Sequence, residues 1–347
     1  MQTELSKPPT QSAPPTVRPS ASCENCGAPL YGKYCYACGQ PTTGLVRHFG
    51  SVMSDVADSV LNIDERLFRT IGPLYLRPGT LTLDYFAGKR ARYVTPFRMV
   101  FFLAIIAFFA MQLSVRSGLM HAQALAVSSN GKVSVEKTPA AEQGGNDVFA
   151  NGNIKFNNTV LWNRDTHPWR IGWLPAAAND WLNDLVGNAQ ANLYATNSGT
   201  PAQKKAAGTR VLLGMFSAAP TVLFVLLPFF ALLLKIFYIF KRRLYMEHLI
   251  VAMHSHAFLM LSMLVLLALA LLRGWLVPHA GWLGIPFVLL NVAAWIWIFV
   301  YLWRMQKRVY RQGWFMTNLK YWSLGFCYTI LVGFGFVFAV LISLTGA

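Results

Sequence analysis

The chain has 347 residues, of which 54% are hydrophobic and only 13% are charged, and its formal net charge is +16. Soluble proteins carry about 25% charged residues, so this composition argues against a soluble enzyme and places the chain among membrane proteins. The cations flank hydrophobic runs, which indicates topogenic charge and contact with the lipid bilayer. Nucleic acid is therefore not the expected partner, although a basic N-terminal region keeps that alternative open.

The region ahead of the hydrophobic runs divides into two segments. Residues 1–22 are rich in Pro, Ser, Thr and Gln and contain no cleavable signal peptide, so we predict a disordered leader. Residues 23–40 hold two Cys-x-x-Cys-Gly pairs, formed by Cys23, Cys26, Cys35 and Cys38. In each pair a tight turn can point two sulfurs at one metal, with glycine supplying the unusual backbone angle.

Four thiolates at this spacing predict a tetrahedral Zn²⁺ site, and four cysteine ligands leave no open position for a catalytic water. We therefore expect structural zinc in a small zinc ribbon that is unfolded without its metal. The alternatives are another metal, an iron–sulfur site, or two redox dithiols. The thiolates also indicate a reducing compartment. The fifth cysteine, Cys327, is expected to be a packing residue.

The segment 45–96 connects the ribbon to the first hydrophobic run. Apolar residues from Leu45 to Leu67 recur every three or four positions opposite a charged face, which predicts cytoplasmic amphipathic helices. Thr80 is placed to cap a short helix that ends at Gly88. A basic patch follows, and it is either a topogenic signal or a site for anionic lipid headgroups. The headgroup candidates are Lys89, Arg90 and Arg92.

Five hydrophobic stretches are long enough, or nearly so, to cross a bilayer core of about 30 Å. They predict spans over 97–114, 211–234, 249–272, 282–303 and 321–345. Lys and Arg concentrate before the first span and in the second and fourth connections, so the N-terminus should lie in the cytoplasm and the C-terminus outside. The predicted fold class is an all-α, multi-spanning membrane protein with an N-terminal cytoplasmic zinc ribbon.

The long connection 115–210 should then be extracytoplasmic. Its first part is rich in Gly, Asn, Ser and Ala, and we expect it to be poorly ordered. Apolar residues near 175–194 recur at helical spacing. They predict an amphipathic helix that lies on the outer leaflet or caps the bundle, with an ordinary packed helix as the alternative.

A glutamate and three histidines gather at the start of the third span. Glu247 is the only acidic residue after Asp184, and it is followed by His248, His254 and His256. Ionisable groups within a span are candidates for function because burying them is costly, and these groups could relay protons, hold a metal or bind a headgroup. One helix cannot gather all four around one metal, because they do not share a face.

The alternative for this cluster is structural. Glu247 would pair with Arg242 or Arg243, and the histidines would hydrogen-bond between helices, for example with Asn291. No phosphate loop, Gly-x-Ser-x-Gly or His-Glu-x-x-His motif is present, so the sequence offers no other catalytic constellation.

Several motifs resemble a known family over residues 23–100. They are the double knuckle ending in Gly39-Gln40, then Arg69-Thr70, Pro78-Gly79, and Tyr85 to Tyr93 with Pro96. The chain resembles an uncharacterised bacterial membrane family, domain of unknown function 3667, in which a zinc ribbon precedes membrane spans. Tyr245 to His248 is also similar to its members. The resemblance implies a bacterial inner-membrane protein, and it implies no activity, substrate or catalytic residue.

Three functions are compatible with these features. The expected one is an interaction, regulatory or scaffold protein whose ribbon recruits a cytoplasmic partner. The second is a transporter or channel component, although the spans are mostly apolar and show no repeat, so a pathway would need a homo-oligomer. The third is a membrane enzyme that uses Glu247, His248, His254 and His256.

Overall fold

The computed structural model of the protein describes residues 21–41, 66–129, 153–156, 159–197 and 200–345. Residues 1–20 of the predicted leader (1–22) and residues 45–65 of the predicted amphipathic segment (45–96) lie outside the described residues, whereas Ala21 and Ser22 of the predicted leader form a strand. Within these ranges the chain is built mainly from α-helices, which confirms the predicted fold class.

The elements follow one another in a simple order. Two short strands, β1 (Ala21–Ser22) and β2 (Pro29–Leu30), pair as an antiparallel hairpin. Two short helices come next, α1 (Arg66–Leu76) and α2 (Thr80–Phe86). The remaining elements are α3 (Pro96–Ser129), the antiparallel strands β3 (Asn153–Phe156) and β4 (Thr159–Asn163), α4 (Ala176–Asn197), α5 (Pro201–Phe237), α6 (Tyr245–Leu276), α7 (Gly284–Tyr310) and α8 (Trp314–Thr345).

Five helices, α3 and α5 to α8, are long and apolar enough to cross a membrane, as the sequence predicted. Each extends past the predicted span at one end or both. Within a membrane, backbone N–H and C=O groups must be hydrogen-bonded, and a continuous helix provides these bonds itself. A helix can therefore continue beyond the end of its hydrophobic stretch. Large apolar side chains such as Phe229, Leu290 and Phe334 are exposed on the outer faces. The five helices therefore indicate a multi-pass membrane protein.

The helix α6 lies at the centre of the bundle, where it contacts α3, α5 and α7. Its residues 250–258 are all buried, on every side of the helix. Ala252 and Ala257 have no exposed surface, because small side chains let neighbouring helices approach closely. Beside this core, α5 packs along α8. Polar groups on α6 are consequently held away from solvent and must find partners inside the bundle.

One end of the bundle is formed by residues 88–95, 238–244 and 311–313. We call it the module face, because the four-cysteine segment 21–41 docks on it. At this end, side chains of the 238–244 loop and of α7 contact α2. The guanidinium of Arg243 lies 4.8 Å from the centre of the Phe86 ring. Arg308 donates from Nη1 to Thr80 Oγ1 at 2.9 Å.

The prediction that Thr80 caps α2 is wrong. The helix starts after Gly79, which has φ 73°, and the Thr80 side chain makes no capping hydrogen bond. The helix ends at Phe86.

The opposite end is covered by α4 and the β3–β4 hairpin. Asn188 and Asn192 donate from their side-chain amides to the carbonyls of Thr345 and Leu344, at 3.0 and 2.7 Å. These bonds satisfy carbonyls at the end of α8 that have no partner within that helix. The contacts support the capping alternative for the predicted helix. The hairpin was not predicted, because its strands are short and the surrounding composition is typical of a loop.

Candidate metal centre and buried polar cluster

The four predicted ligands Cys23, Cys26, Cys35 and Cys38 converge on one point. Their sulfur atoms all lie within 4.8 Å of one another, so the group could hold a metal ion. Cys23 Sγ is 3.7 Å from Cys38 Sγ, and Cys26 Sγ is 3.6 Å from Cys35 Sγ. A tetrahedral site with metal–sulfur distances of about 2.3 Å has edges of about 3.8 Å, so these separations fit four-coordinate thiolate ligation.

The two knuckles have the same backbone geometry. The amide of Gly27 donates to the carbonyl of Cys23, and that of Gly39 donates to Cys35, both at 2.8 Å. Both glycines have positive φ, 78° and 69°, which turns each pair of sulfurs inward at little steric cost. We refer to residues 21–41, which contain both knuckles, as the cysteine module.

Two thiols of the module, those of Cys26 and Cys38, have pKa values shifted from the usual value of cysteine. Burial raises the pKa of Cys38, but hydrogen bonds from the Asn25 side chain and the Gln40 backbone outweigh burial and lower that pKa to about 7. For Cys26, a backbone hydrogen bond from Ala28 lowers the pKa, but burial and the other three thiols raise it to about 12. A lower thiol pKa favours the thiolate, which is the form that binds metal, so the direction of the shift at Cys38 favours ligation by that residue.

The cysteine module is attached to the module face by Gln40. Its side chain is 7% exposed. Nε2 donates to the Gly88 carbonyl at 2.7 Å, and Oε1 accepts from the amides of Arg90 and Ala91, each at 3.2 Å. The side-chain amide of Gln40 thus forms hydrogen bonds with three backbone groups that lie about fifty residues further along the chain. Because this side-chain amide is buried and hydrogen-bonded, it fixes the position of the cysteine module relative to the Gly88 loop.

Gly88 allows this close contact. Its φ is 84°, a conformation that disfavours every residue with a Cβ. A Cβ at this position would also collide with the side chain of Glu24, which belongs to the cysteine module. The sequence motif that contains Gly88 is therefore explained by the docking of the module.

The three predicted headgroup ligands each contact a protein side chain. The contacts are Lys89 with the Asp84 carboxylate at 3.5 Å, Arg90 with the Tyr85 ring at 5.5 Å, and Arg92 with the Tyr93 ring at 5.7 Å. Tyr93 itself donates to Asp84 at 2.9 Å, and burial, followed by the carboxylate, raises the pKa of Tyr93 above its usual range. These contacts link the basic patch to α2 and to the loop that follows it.

The three histidines of α6 are buried and point to different helices. His254 and Thr82 are 2% and 0% exposed, and His254 Nδ1 lies 2.9 Å from Thr82 Oγ1. This hydrogen bond connects the centre of the bundle to α2, the helix that leads into the Gly88 loop. The Tyr85 ring packs edge-on against His254, with ring centres 6.3 Å apart.

His248 lies closer to the module face. Its Nδ1 is 2.8 Å from the hydroxyl of Tyr310, at the end of α7. The Tyr310 ring stacks on Tyr238 with centres 3.6 Å apart, and the Tyr238 hydroxyl donates to Gln306 Oε1 at 3.1 Å. Burial raises the pKa of Tyr238 above its usual range. The histidine thus belongs to a polar network that joins the ends of α5, α6 and α7.

His256 is held in one tautomer by its partners. Nδ1 lies 2.8 Å from the Ala252 carbonyl, which only accepts, so Nδ1 carries the proton. Nε2 of the neutral ring then accepts from the Tyr328 hydroxyl at 2.5 Å. This contact joins α6 to α8.

Glu247 takes part in the start of α6. Oε1 accepts from Arg243 Nη1 at 3.0 Å, and Oε2 accepts from the Leu244 amide at 2.9 Å. The second bond satisfies one amide at the beginning of the helix, as in half of a capping box. Arg243 also donates to the Val309 carbonyl at 3.0 Å. Of the two arginines considered from the sequence, the structure pairs Glu247 with Arg243.

The glutamate and the histidines therefore do not form one site. Among the described residues, the four cysteines are the one group of His, Cys, Asp and Glu placed to share a metal ion. Asn291, on α7, lines a cleft of about 410 Å³ together with Arg273, which lies in the last turn of α6, at the opposite end of that helix from His248. The sequence did not indicate Thr82, Tyr310 or Tyr328 as functional residues. Gln40 appeared there only as part of the motif that ends the second knuckle, and its docking role was not predicted.

Comparison with known proteins adds one match. Residues 64–108 match a family model described as "Protein of unknown function (DUF3667)". The matched segment covers α1, α2, the Gly88 loop and the first part of α3, so it includes Thr82 but excludes the cysteine module and α6. No curated protein and no solved structure matches the chain.

Proposed function

We propose that the protein is an integral inner-membrane protein of bacteria that acts in regulation or as a scaffold, with a structural zinc ribbon as its interaction module. The observation that carries this proposal is the anchoring of the cysteine module on the bundle through Gln40. A module fixed in this way can present a partner to the bundle in a defined orientation.

The metal in this proposal is zinc in a structural role. Four sulfurs at tetrahedral separations support zinc, and a complete set of thiolate ligands leaves no position for a reacting water. Cys35 and the Gln40 carbonyl share a backbone hydrogen bond of 2.8 Å, so the second knuckle and the anchoring residue form one turn. Metal binding would therefore organise the residue that docks the module.

The proposed orientation places the module face in the cytoplasm. Several exposed cations at this end of the bundle support it, because basic residues favour the cytoplasmic side. They are Lys235, Lys241, Arg242, Arg304 and Arg311, all exposed. The cytoplasm is also the compartment in which thiolates stay reduced. The C-terminal end of α8 would then lie outside.

The partner surface in this proposal is a group of three exposed tyrosines on the module. Tyr31, Tyr34 and Tyr36 are 55%, 68% and 71% exposed. Tyrosine is enriched at protein interfaces, because it combines a large apolar ring with a polar hydroxyl at small entropic cost. We propose no catalytic role for Glu247 and the histidines, because the structural contacts described above occupy each of them.

Metal analysis of the purified full chain tests the metal assignment. We expect one zinc per chain in the wild type and none when Cys23, Cys26, Cys35 and Cys38 are all replaced by serine. A metal retained by the serine variant would contradict the proposal and would indicate a metal site outside the cysteine module, with the histidines as candidate ligands. Iron in place of zinc would contradict the structural assignment.

A photo-reactive amino acid at position 34 tests the partner surface in cells. We expect a discrete cross-linked product from position 34 that disappears in the four-serine variant. Position 173 is the matched control, because Trp173 is 83% exposed at the opposite end of the bundle. The absence of a product at position 34, or the same product from both positions, would contradict the proposed role of the module.

A further inference from the structure

We propose that Arg242 and Arg311 form a binding site for the phosphate of an anionic lipid headgroup. Arg242 follows the short 3-10 turn Ile239–Lys241 between α5 and α6, and Arg311 follows the end of α7. From the sequence, both arginines were expected to act as topogenic charge, and Arg242 was also a candidate partner for Glu247, which the structure pairs with Arg243.

The backbone of both residues is unusual. Arg242 has φ 48° and ψ 33°, and Arg311 has φ 47° and ψ 62°. Within the described ranges, they are the non-glycine residues with positive φ. Each lies just past a helical segment, where glycine is the usual residue because it adopts this left-handed conformation without strain. Residues with a strained backbone cluster at functional sites. We therefore infer that these two positions hold arginine because the side chains have a function.

The two arginines are held at one place on the module face. Lys241 donates from Nζ to the Arg311 carbonyl at 3.3 Å, and Arg243 donates from Nη2 to the Val309 carbonyl at 3.0 Å. Residues 241–243 therefore lie along residues 309–311. These two bonds are donated by Lys241 and Arg243, the neighbours of Arg242 in sequence. Arg242 and Arg311 are themselves exposed.

Among the residues that the structure describes, Arg242 and Arg311 take part in no ion pair. The ion pairs found among the described residues use other cations, namely Lys89, Arg164 and Arg243. Glu247, the acid closest in sequence to Arg242, is occupied by Arg243 and by the Leu244 amide. Two guanidinium groups that pair with no described acid match a phosphate, which can accept paired hydrogen bonds from each guanidinium group.

The surroundings favour a lipid over a soluble phosphate compound. Large apolar side chains flank both arginines, and they are strongly exposed: Ile239 62%, Phe240 91%, Trp314 64% and Phe315 72%. Bulky aromatic and aliphatic residues beside cations are typical of the membrane interface, where the rings contact acyl chains and the cations contact headgroups. A soluble ligand would leave these side chains in water. The sequence-predicted patch at Lys89, Arg90 and Arg92 is less suitable, because its cations already contact protein groups.

Lipid titration of the purified full chain in detergent tests this site. The key variant is Arg242→Gly with Arg311→Gly, because glycine keeps the left-handed backbone and removes both guanidinium groups. The control is Lys235→Gln with Arg304→Gln, which removes the same charge from two exposed residues at the same end of the bundle. Short-chain phosphatidylglycerol and phosphatidylcholine are the probes, and binding is read by native mass spectrometry and by the thermal unfolding midpoint.

We expect the wild type and the control to bind phosphatidylglycerol in preference to phosphatidylcholine. The double glycine variant should bind phosphatidylglycerol about thirtyfold more weakly, which corresponds to about fivefold for each cation near an anionic surface. Without lipid, its unfolding midpoint should equal or exceed that of the wild type, because the backbone strain is relieved. That outcome would separate loss of binding from loss of folding.

Three results would overturn the proposal. Unchanged phosphatidylglycerol binding by the double glycine variant would show that the arginines are not the ligands. An equal loss in the control would show that only general surface charge matters. Displacement of phosphatidylglycerol by inorganic phosphate at similar concentration would assign the site to a soluble phosphate compound.

Discussion

The Thr82 hydroxyl lies 2.9 Å from Nδ1 of His254, although 172 residues separate the two in sequence. Both side chains are buried, so the bond crosses from α2 to the central helix α6 without competition from water. The same short helix leads into the Gly88 loop, which receives Gln40 of the cysteine module. A continuous set of contacts therefore runs from the module to the centre of the bundle.

Replacing Thr82 by valine should destabilise the fold. The substitution keeps the shape but leaves a buried nitrogen of His254 without its partner, which costs about 1–3 kcal/mol. The thermal unfolding midpoint in detergent measures the effect. Thr329→Val is the control, because the exposed Thr329 hydroxyl bonds only to the Gly325 carbonyl of its own helix. Equal midpoints for the two variants would show that the Thr82–His254 bond contributes nothing.

Replacing Gln40 by leucine should release the module without emptying the metal centre. The amides of Arg90 and Ala91 lose their acceptor, so their hydrogen exchange should become faster, while zinc content stays unchanged because the side chain is not a ligand. Hydrogen-exchange mass spectrometry over residues 84–94 is the measurement. Tyr36→Ala, at an exposed position of the same module, should leave exchange in this segment as in the wild type. Unaltered exchange in the leucine variant would argue against docking through Gln40.

Alanine at Gly88 should disturb the same contact in a different way. The left-handed backbone costs about 1–2 kcal/mol for a residue with a Cβ, and the methyl group meets the Glu24 side chain. Proteolysis of the module should therefore become faster, and adding Glu24→Ala should restore only part of the protection. Gly32→Ala is the control, because Gly32 has open space around it and lacks a positive φ. Full protection in Gly88→Ala would contradict the close packing of the loop and module.

Glutamine at Glu247 should lower stability and leave metal content unchanged. The pair with Arg243 is partly shielded, with side chains 19% and 22% exposed, so its loss should cost about 1 kcal/mol. A double-mutant cycle with Arg243→Gln, read by unfolding midpoints, measures the coupling of the two residues. Additive effects would indicate that the carboxylate serves some purpose other than this pairing.

Local sequence patterns predicted much of this structure. Hydrophobic length is a local property, so the five long helices could be recognised without any tertiary contact. The Cys-x-x-Cys-Gly spacing is local too, since each knuckle forms within five residues, and it identified Cys23, Cys26, Cys35 and Cys38 as one cluster. Helix ends were less predictable, and Thr80 is the clearest case: its hydroxyl accepts a hydrogen bond from Arg308, 228 residues away, and does not cap α2.

The sequence alone determined that the chain is a helical protein with five apolar helices and a four-cysteine centre, because both features depend on residues that are close in the chain. Tertiary structure decided what the remaining polar groups do. His248, His254 and His256 share one helix but contact three different helices, and Lys89, Arg90 and Arg92 contact side chains of the protein. Which partner a buried group meets depends on how distant helices pack, and sequence spacing carries no record of that packing.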